Sequence, residues 1–211
     1  MSVHRLPVLF ALALLAGGCG DGLGPRSTAV QPPLAQIVAT KPVSMLRQAK
    51  TAPLLATYQV SVWAYVGRAS AVSVRYLPAK GQTVGDTFLR FAIPRNGLVA
   101  GANGAALRSG DSIRVTLTID PASFLVDFQP AGVLFSKTSA ATLGFWYGRA
   151  NPDLNGDGVV NAADQALIQQ LTIWYQGAKT TGWSQQPSIN DPTKQLVGTA
   201  VYHFSQYAVG W

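Results

Sequence analysis

The chain has 211 residues, about half of them apolar, and a formal charge of +7 from 16 basic and 9 acidic side chains. That is room for one medium domain with tails and a real core, and for little more. The basic residues are spread singly from Arg26 to Lys194, without the run or helical stripe that nucleic-acid binding favours, so no nucleic-acid partner is expected. Every acidic residue is an aspartate, and three of the nine fall within residues 153–164.

The N-terminus, "MSVHRLPVLFALALLAGGCG", places Arg5 before an apolar run and small residues after it, the layout of a secretory signal. The run is shorter than the roughly 20 residues a bilayer-spanning helix needs, so an exported chain is expected. Cys19 is the only cysteine. Its place after "LLAGG" resembles the lipobox of bacterial lipoproteins, although Ala16 stands where leucine is usual. The resemblance implies lipid attachment at Cys19. Because Gly20 follows, it also implies the outer membrane or cell surface. Residues 20–52, rich in Gly, Pro, Ser and Thr, suit a flexible tether, and "QIVATKPVSML" within them is a candidate first strand.

From residue 53 onward the pattern has period two. Tyr58, Val60, Val62, Ala64 and Val66 share one face, as do Val72, Val74 and Tyr76; Leu89, Phe91 and Ile93; and Ile113, Val115, Leu117 and Ile119. "FLVDF", "GVLF", "ATLGFWY", "LTIWYQ", "LVGTAVYHF" and "SQYAVGW" follow. The stretches "GQTVGD", "RNGLVAGANG", "RSGD", "DPAS", "QPAG" and "INDPTK" are read as turns. Many short strands with regular turns predict a mainly β protein over residues 53–211, an antiparallel β-sandwich. One segment departs from the pattern. "NAADQALIQQL", residues 161–171, predicts a short helix, with Leu167, Ile168 and Leu171 at helical spacing.

That helix begins inside "DLNGDGVVNAAD", residues 153–164, so residues 151–171 are read as one inserted unit. Numbered from Asp153, oxygen side chains fall at positions 1, 3, 5, 9 and 12: Asp153, Asn155, Asp157, Asn161 and Asp164. Gly158 stands at the sharp turn of position 6, and Val159 offers a carbonyl at position 7. This is the ligand order of an EF-hand, and calcium is the hard cation that such oxygens suit. Val160, at position 8, is expected to fix the loop to the core. With Asp in place of Glu at the last position, the loop resembles the dockerin calcium repeat. Dockerins carry two such repeats and this chain carries one, which leaves cohesin binding unsupported.

Around the loop, "FLRFAIP", "SGDSIRVTLTIDP", "FLVDFQPAGVLFS", "ATLGFWY" and "VYHFSQYAVGW" resemble bacterial relatives of the ZU-type domain, the β-sandwich of zonula occludens proteins and netrin receptors. The resemblance covers residues 88–211 and implies an interaction role rather than a reaction. For catalysis, His203 and Ser205 are the only nucleophile-and-base pair on offer, and residues two apart on a strand do not meet in the required geometry. Asp86, Asp111, Asp120, Asp127 and Asp191 are spread over turns and strands, Asp127 being the one mid-strand acid, expected to face solvent or an arginine. Trp63, Trp146, Tyr147, Trp174, Tyr175, Trp183 and Trp211 are read mostly as core and rim. The expected function is a non-catalytic, calcium-binding, lipid-anchored module whose partner is a protein or polysaccharide at the cell surface. The alternative is a carbohydrate-binding accessory module or a hydrolase of cell-surface polysaccharide.

The anchor is open to a direct test. Cells expressing the wild type should incorporate radiolabelled palmitate into the protein, and Cys19→Ser should abolish the label. An unlabelled wild type would sink the lipoprotein reading.

Overall fold

The computed structural model describes residues 43–120, 122–177 and 181–211; the expected leader, Cys19 and most of the expected tether lie outside them. In chain order the strands are β1 (Gln59–Tyr65), β2 (Ser70–Arg75), β3 (Thr87–Ile93), β4 (Leu98–Ala100), β5 (Ser112–Ile119), β6 (Leu125–Gln129), β7 (Leu134–Phe135) and β8 (Ala141–Trp146). The single described helix, α1 (Ala162–Ile168), comes next. It is followed by β9 (Thr172–Gln176), β10 (Ser184–Gln186), β11 (Ser188–Asp191), β12 (Leu196–Val201) and β13 (Gln206–Gly210). All pairing between them is antiparallel. One sheet runs β1-β5-β6-β13-β9-β10, the other β11-β12-β8-β3-β2, and β4 pairs with β7 separately. The fold is therefore mainly β, with antiparallel sheets and one short helix, as the alternation predicts.

Alternating residues turn one face of each sheet inward. Val115, Leu117 and Ile119 of β5 are buried, as are Leu143 and Phe145 of β8 and Val126 and Phe128 of β6. Opposed apolar faces of this kind give the usual packed interior of a sandwich. Its rings form two groups. Phe88 contacts Tyr76, Phe124 and Phe145, and Phe91 contacts Phe128, Phe135 and Phe204. Phe88 departs from the simple alternation, since it and Leu89 are both fully buried. The reason is a bulge. Val74 pairs with Leu89 but Arg75 pairs with Thr87, so Phe88 is the extra residue and also turns inward.

Three sequence assignments change. "RNGLVAGANG", read as a turn, contains β4, whose Leu98 and Ala100 are buried. The turn "INDPTK" begins inside β11, which pairs with β12 through Asp191. Part of the expected tether also belongs to the folded domain. The backbone N–H of Leu46 donates to Val209, its carbonyl accepts from Phe124, and the N–H groups of Gln48 and Ala49 donate to Ala122 and Arg149. The Leu46 side chain is 1% exposed, inside the core.

The helical segment lies at an informative place. β8 belongs to the five-stranded sheet and β9 to the six-stranded one, so residues 147–171 are one of the crossovers that pass between them. Among the described residues, no helix is long and apolar enough to cross a membrane.

If residues 44–49 fold as one unit with the sandwich, Leu46→Ala should behave as a core truncation and cost about 2–5 kcal/mol. Urea unfolding measures this; a loss below about 1 kcal/mol would place the segment outside the cooperative domain.

Candidate metal centre

The crossover begins with Asn151, whose N–H donates to the Arg47 carbonyl (2.8 Å) and whose side chain donates to the Asp153 carbonyl (3.0 Å). From there each turn of the loop closes on one of its own side chains. Asp153 accepts the N–H of Gly156 on Oδ1 (2.8 Å) and that of Gly158 on Oδ2 (2.9 Å). Asn155 Oδ1 accepts from the Asp157 N–H, and Asp157 Oδ1 from the Val159 N–H. Gly156 and Gly158 have φ of 75° and 85°. Those left-handed conformations suit glycine because it has no Cβ to clash.

Asn161 is the N-cap of α1, and its side chain accepts from Ala163 N–H at 2.7 Å. Asp164 returns the bond, its Oδ2 accepting from the Asn161 N–H at 2.9 Å, which completes a capping box. The other Asp164 oxygen accepts from Leu154 (2.8 Å) and Asn155 (3.2 Å). Asp164 is thus fully buried yet satisfied, and it ties the start of the loop to the start of the helix. The Asn161 N–H foremost, then those of Asn155 and Leu154, hold its carboxyl below the ordinary carboxylate range, against burial, which raises it.

The helix is shorter than the predicted 161–171. It ends at Ile168, and Leu171 then enters the core as β9 begins. Asn190 fastens this end. Its amide donates to the Ile168 carbonyl (2.7 Å) and its oxygen accepts from the Tyr147 hydroxyl (2.9 Å). Burial, with a smaller contribution from Asp191, pushes the Tyr147 phenol up to about 12, so it stays a donor throughout the neutral range.

Val160 does not fix the loop to the core. It is 54% exposed and Val159 59%, whereas Leu154 and Ile168 pack against the core cluster. Position 2 of the loop, one residue after Asp153, supplies the apolar anchor instead. It sits where Asp164 gathers the Leu154 and Asn155 N–H groups, which explains why that side chain reaches inward and Val160 does not.

The donor set is oxygen only: carboxylates of Asp153 and Asp157, amide oxygens of Asn155 and Asn161, and the Val159 carbonyl. That chemistry fits a hard cation. A carboxylate offers about four lone-pair positions, and Asp153 and Asp157 each spend two on hydrogen bonds within the loop. Asp164 spends three on N–H groups and is the least available of the set. Among the described residues, no three acidic, histidine or cysteine side chains are gathered closely enough to hold a metal ion. The carboxylates turn to the loop's own N–H groups.

The remaining candidates are dispersed. Asp111 accepts from the Arg108 N–H, and Asp120 from the Ala122 N–H and Ser123 hydroxyl, both as turn residues. Asp127 meets the Gln129 side chain (2.9 Å) instead of an arginine. Ser205 donates its hydroxyl to the Gln176 carbonyl, and the His203 ring rests against Tyr175 with centroids 4.4 Å apart. Of the aromatics, Tyr147 and Trp174 are buried and Trp63 is 53% exposed. The chain matches no protein-family model, no curated protein and no solved structure.

His203 is the only histidine among the described residues, and burial pushes its imidazole below its ordinary value near 6.5. The folded state therefore resists the proton that the unfolded state accepts. The stability linked to His203 is full above about pH 6.5 and is lost as pH falls through the lower folded value. His203→Gln should flatten this part of the urea-midpoint profile between about pH 7.5 and 5.5. An unchanged slope would assign the acid sensitivity to another group.

Proposed function

We propose that this protein is a non-catalytic, calcium-binding interaction module of the exported cell surface, held to a membrane through a lipid on Cys19. In this reading one calcium ion sits in the loop on Asp153, Asn155, Asp157, Asn161 and the Val159 carbonyl, with Asp164 closing the shell. The observation that carries it is the capping box of Asn161 and Asp164, because it makes the loop and the first turn of α1 one unit. That unit lies on the crossover between the two sheets. A cation at the loop would therefore secure one of the connections between the sheets, rather than a surface appendage.

The ZU-type resemblance belongs to the same proposal, supported by the strands that carry it, β3, β6, β8 and β13, turning residues into one core. A non-catalytic role is supported by the use made of the one nucleophile-and-base pair: the Ser205 hydroxyl is bonded to a backbone carbonyl.

Single extracellular sites of this type hold calcium at about 10⁻⁴ to 10⁻³ M. At 100 times the dissociation constant the ion stabilises the folded state by about 2.7 kcal/mol. The wild type should accordingly melt higher in millimolar calcium than in chelator. Asp157→Ala should lose most of the difference, because it removes a carboxylate that has no other structural partner than its own loop. Identical melting curves, together with no heat on calorimetric titration, would show that the loop does not take the ion.

A further inference from the structure

Away from the loop, an open groove of about 410 Å³ runs between the start of β3, the end of β8 and the turn joining β11 to β12. Its volume falls within the usual range of small-molecule sites. Trp146 lines it from the outward face of β8, between the buried Phe145 and Tyr147. The indole lies along the strand over Gly144, where an added Cβ would sit 3.7 Å from its six-membered ring. Arg149 and Asp86 face each other beside it. Nε and Nη2 of the arginine both bond Oδ2 of the aspartate, at 3.1 and 2.7 Å. The pair thus uses one carboxylate oxygen and two of the three guanidinium nitrogens. Lys194 stands at the rim, highly exposed, its ammonium 2.8 Å from Asp191.

The last wall is strained. Gln195 is the one non-glycine among the described residues with positive φ, 51°. Its backbone is fully used, donating to the Pro192 carbonyl and accepting from Tyr147 N–H at 2.7 Å. Hairpin geometry at such a position is met at least cost by glycine. The chain keeps a glutamine there, and its side chain lies over Gly148, with Oε1 2.5 Å from where a Cβ would be. Gly148 leaves room for that amide, and the amide lines the groove. Backbone strain held beside a polar cleft is a common mark of a binding site.

A ligand that satisfies these walls needs three properties together. It brings hydroxyl donors for Asp86 Oδ1 and the Gln195 oxygen, an anion for Arg149 and Lys194, and an apolar C–H face for Trp146. A phosphate lacks the first and third. A neutral sugar lacks the second. We infer that the groove binds a uronate-bearing saccharide, the pyranose face on Trp146, its hydroxyls on Asp86 and Gln195, and its carboxylate toward Arg149 and Lys194. The assignment names a ligand class for the binding module proposed above, and it does not depend on calcium.

The test is calorimetric titration of the folded chain with oligogalacturonate and with its methyl ester, in chelator so that calcium cannot bridge sugar and protein. The acid form should bind, more weakly at high salt, and the ester should bind less well. Trp146→Ala should weaken binding roughly tenfold, and Lys194→Gln should reduce the salt dependence. Gln195→Gly guards against misfolding as an explanation: it relieves the strained backbone, so its melting temperature should equal or exceed the wild type while binding falls. No heat with the acid form, equal binding of acid and ester, or full binding by Gln195→Gly would each overturn the assignment. Asp157→Ala, run in parallel, should keep its saccharide binding, so failure of the calcium loop and failure of the groove give different results.

Discussion

Two sheets with one short described helix between them remove most of their apolar faces from water by lying against each other. The phenylalanines carry that constraint here. Phe10 lies outside the described residues, and the other seven of the eight are all at most 4% exposed. Each large ring removes far more area from water than an aliphatic side chain, and rings at edge-to-face or tilted angles add specific attraction. Residues brought inward by β3, β6 and β8 meet there, together with Phe124 and Phe204 from the connections.

The crossover shows how a polar segment is fitted to such a layer. A loop that leaves one sheet and enters the other must satisfy its own backbone on the way. Residues 153–164 do so with carboxylates and amides that each accept nearby N–H groups, and only Leu154 reaches the core. At its far end Asn190 links the helix carbonyl of Ile168 to Tyr147, across to the strand from which the crossover departed. The same oxygens that would coordinate an ion are therefore those that shape the loop, and the side chain that closes the capping box is also the last loop position, Asp164.

Much of this could be read from residue order. Period-two stretches located β1, β2, β3, β5, β6 and β8, because a strand with one buried face writes its burial directly into the sequence. The oxygen series and the capping pair were equally visible, since loop and cap are local. What escaped depended on contacts between distant residues. Phe88 breaks the alternation only because a bulge forms against β2, and β4, β10 and β11 are short or polar strands given their form by partners. Residues 44–49, whose first three end the candidate strand "QIVATKPVSML", form only isolated bridges and are held by Phe124, Ala122, Arg149 and Val209. Val160 misled because an apolar residue in a loop is expected inward, whereas the turn at Leu154 had already supplied the anchor. The groove was hidden most completely: Asp86 and Arg149 are separated by 63 positions, and only the packing of β3 beside β8 brings them together.

The position of β13 has a consequence for how the molecule comes into being. It is the last strand of the domain in sequence, yet it lies inside the six-stranded sheet, with β6 on one side and β9 on the other. A chain emerging from the ribosome short of residue 206 has neither pairing, so two strand edges with rows of unmet N–H and C=O groups stay open. The bridge from Met45 to Gly210, with the backbone hydrogen bonds between Ser44 and Trp211 just beyond it, closes nearly the whole described domain into one loop and has to await the same strand. The polypeptide thus remains without its finished sheet until synthesis has passed residue 210, a delay that exposes any stalled fragment to edge-to-edge aggregation.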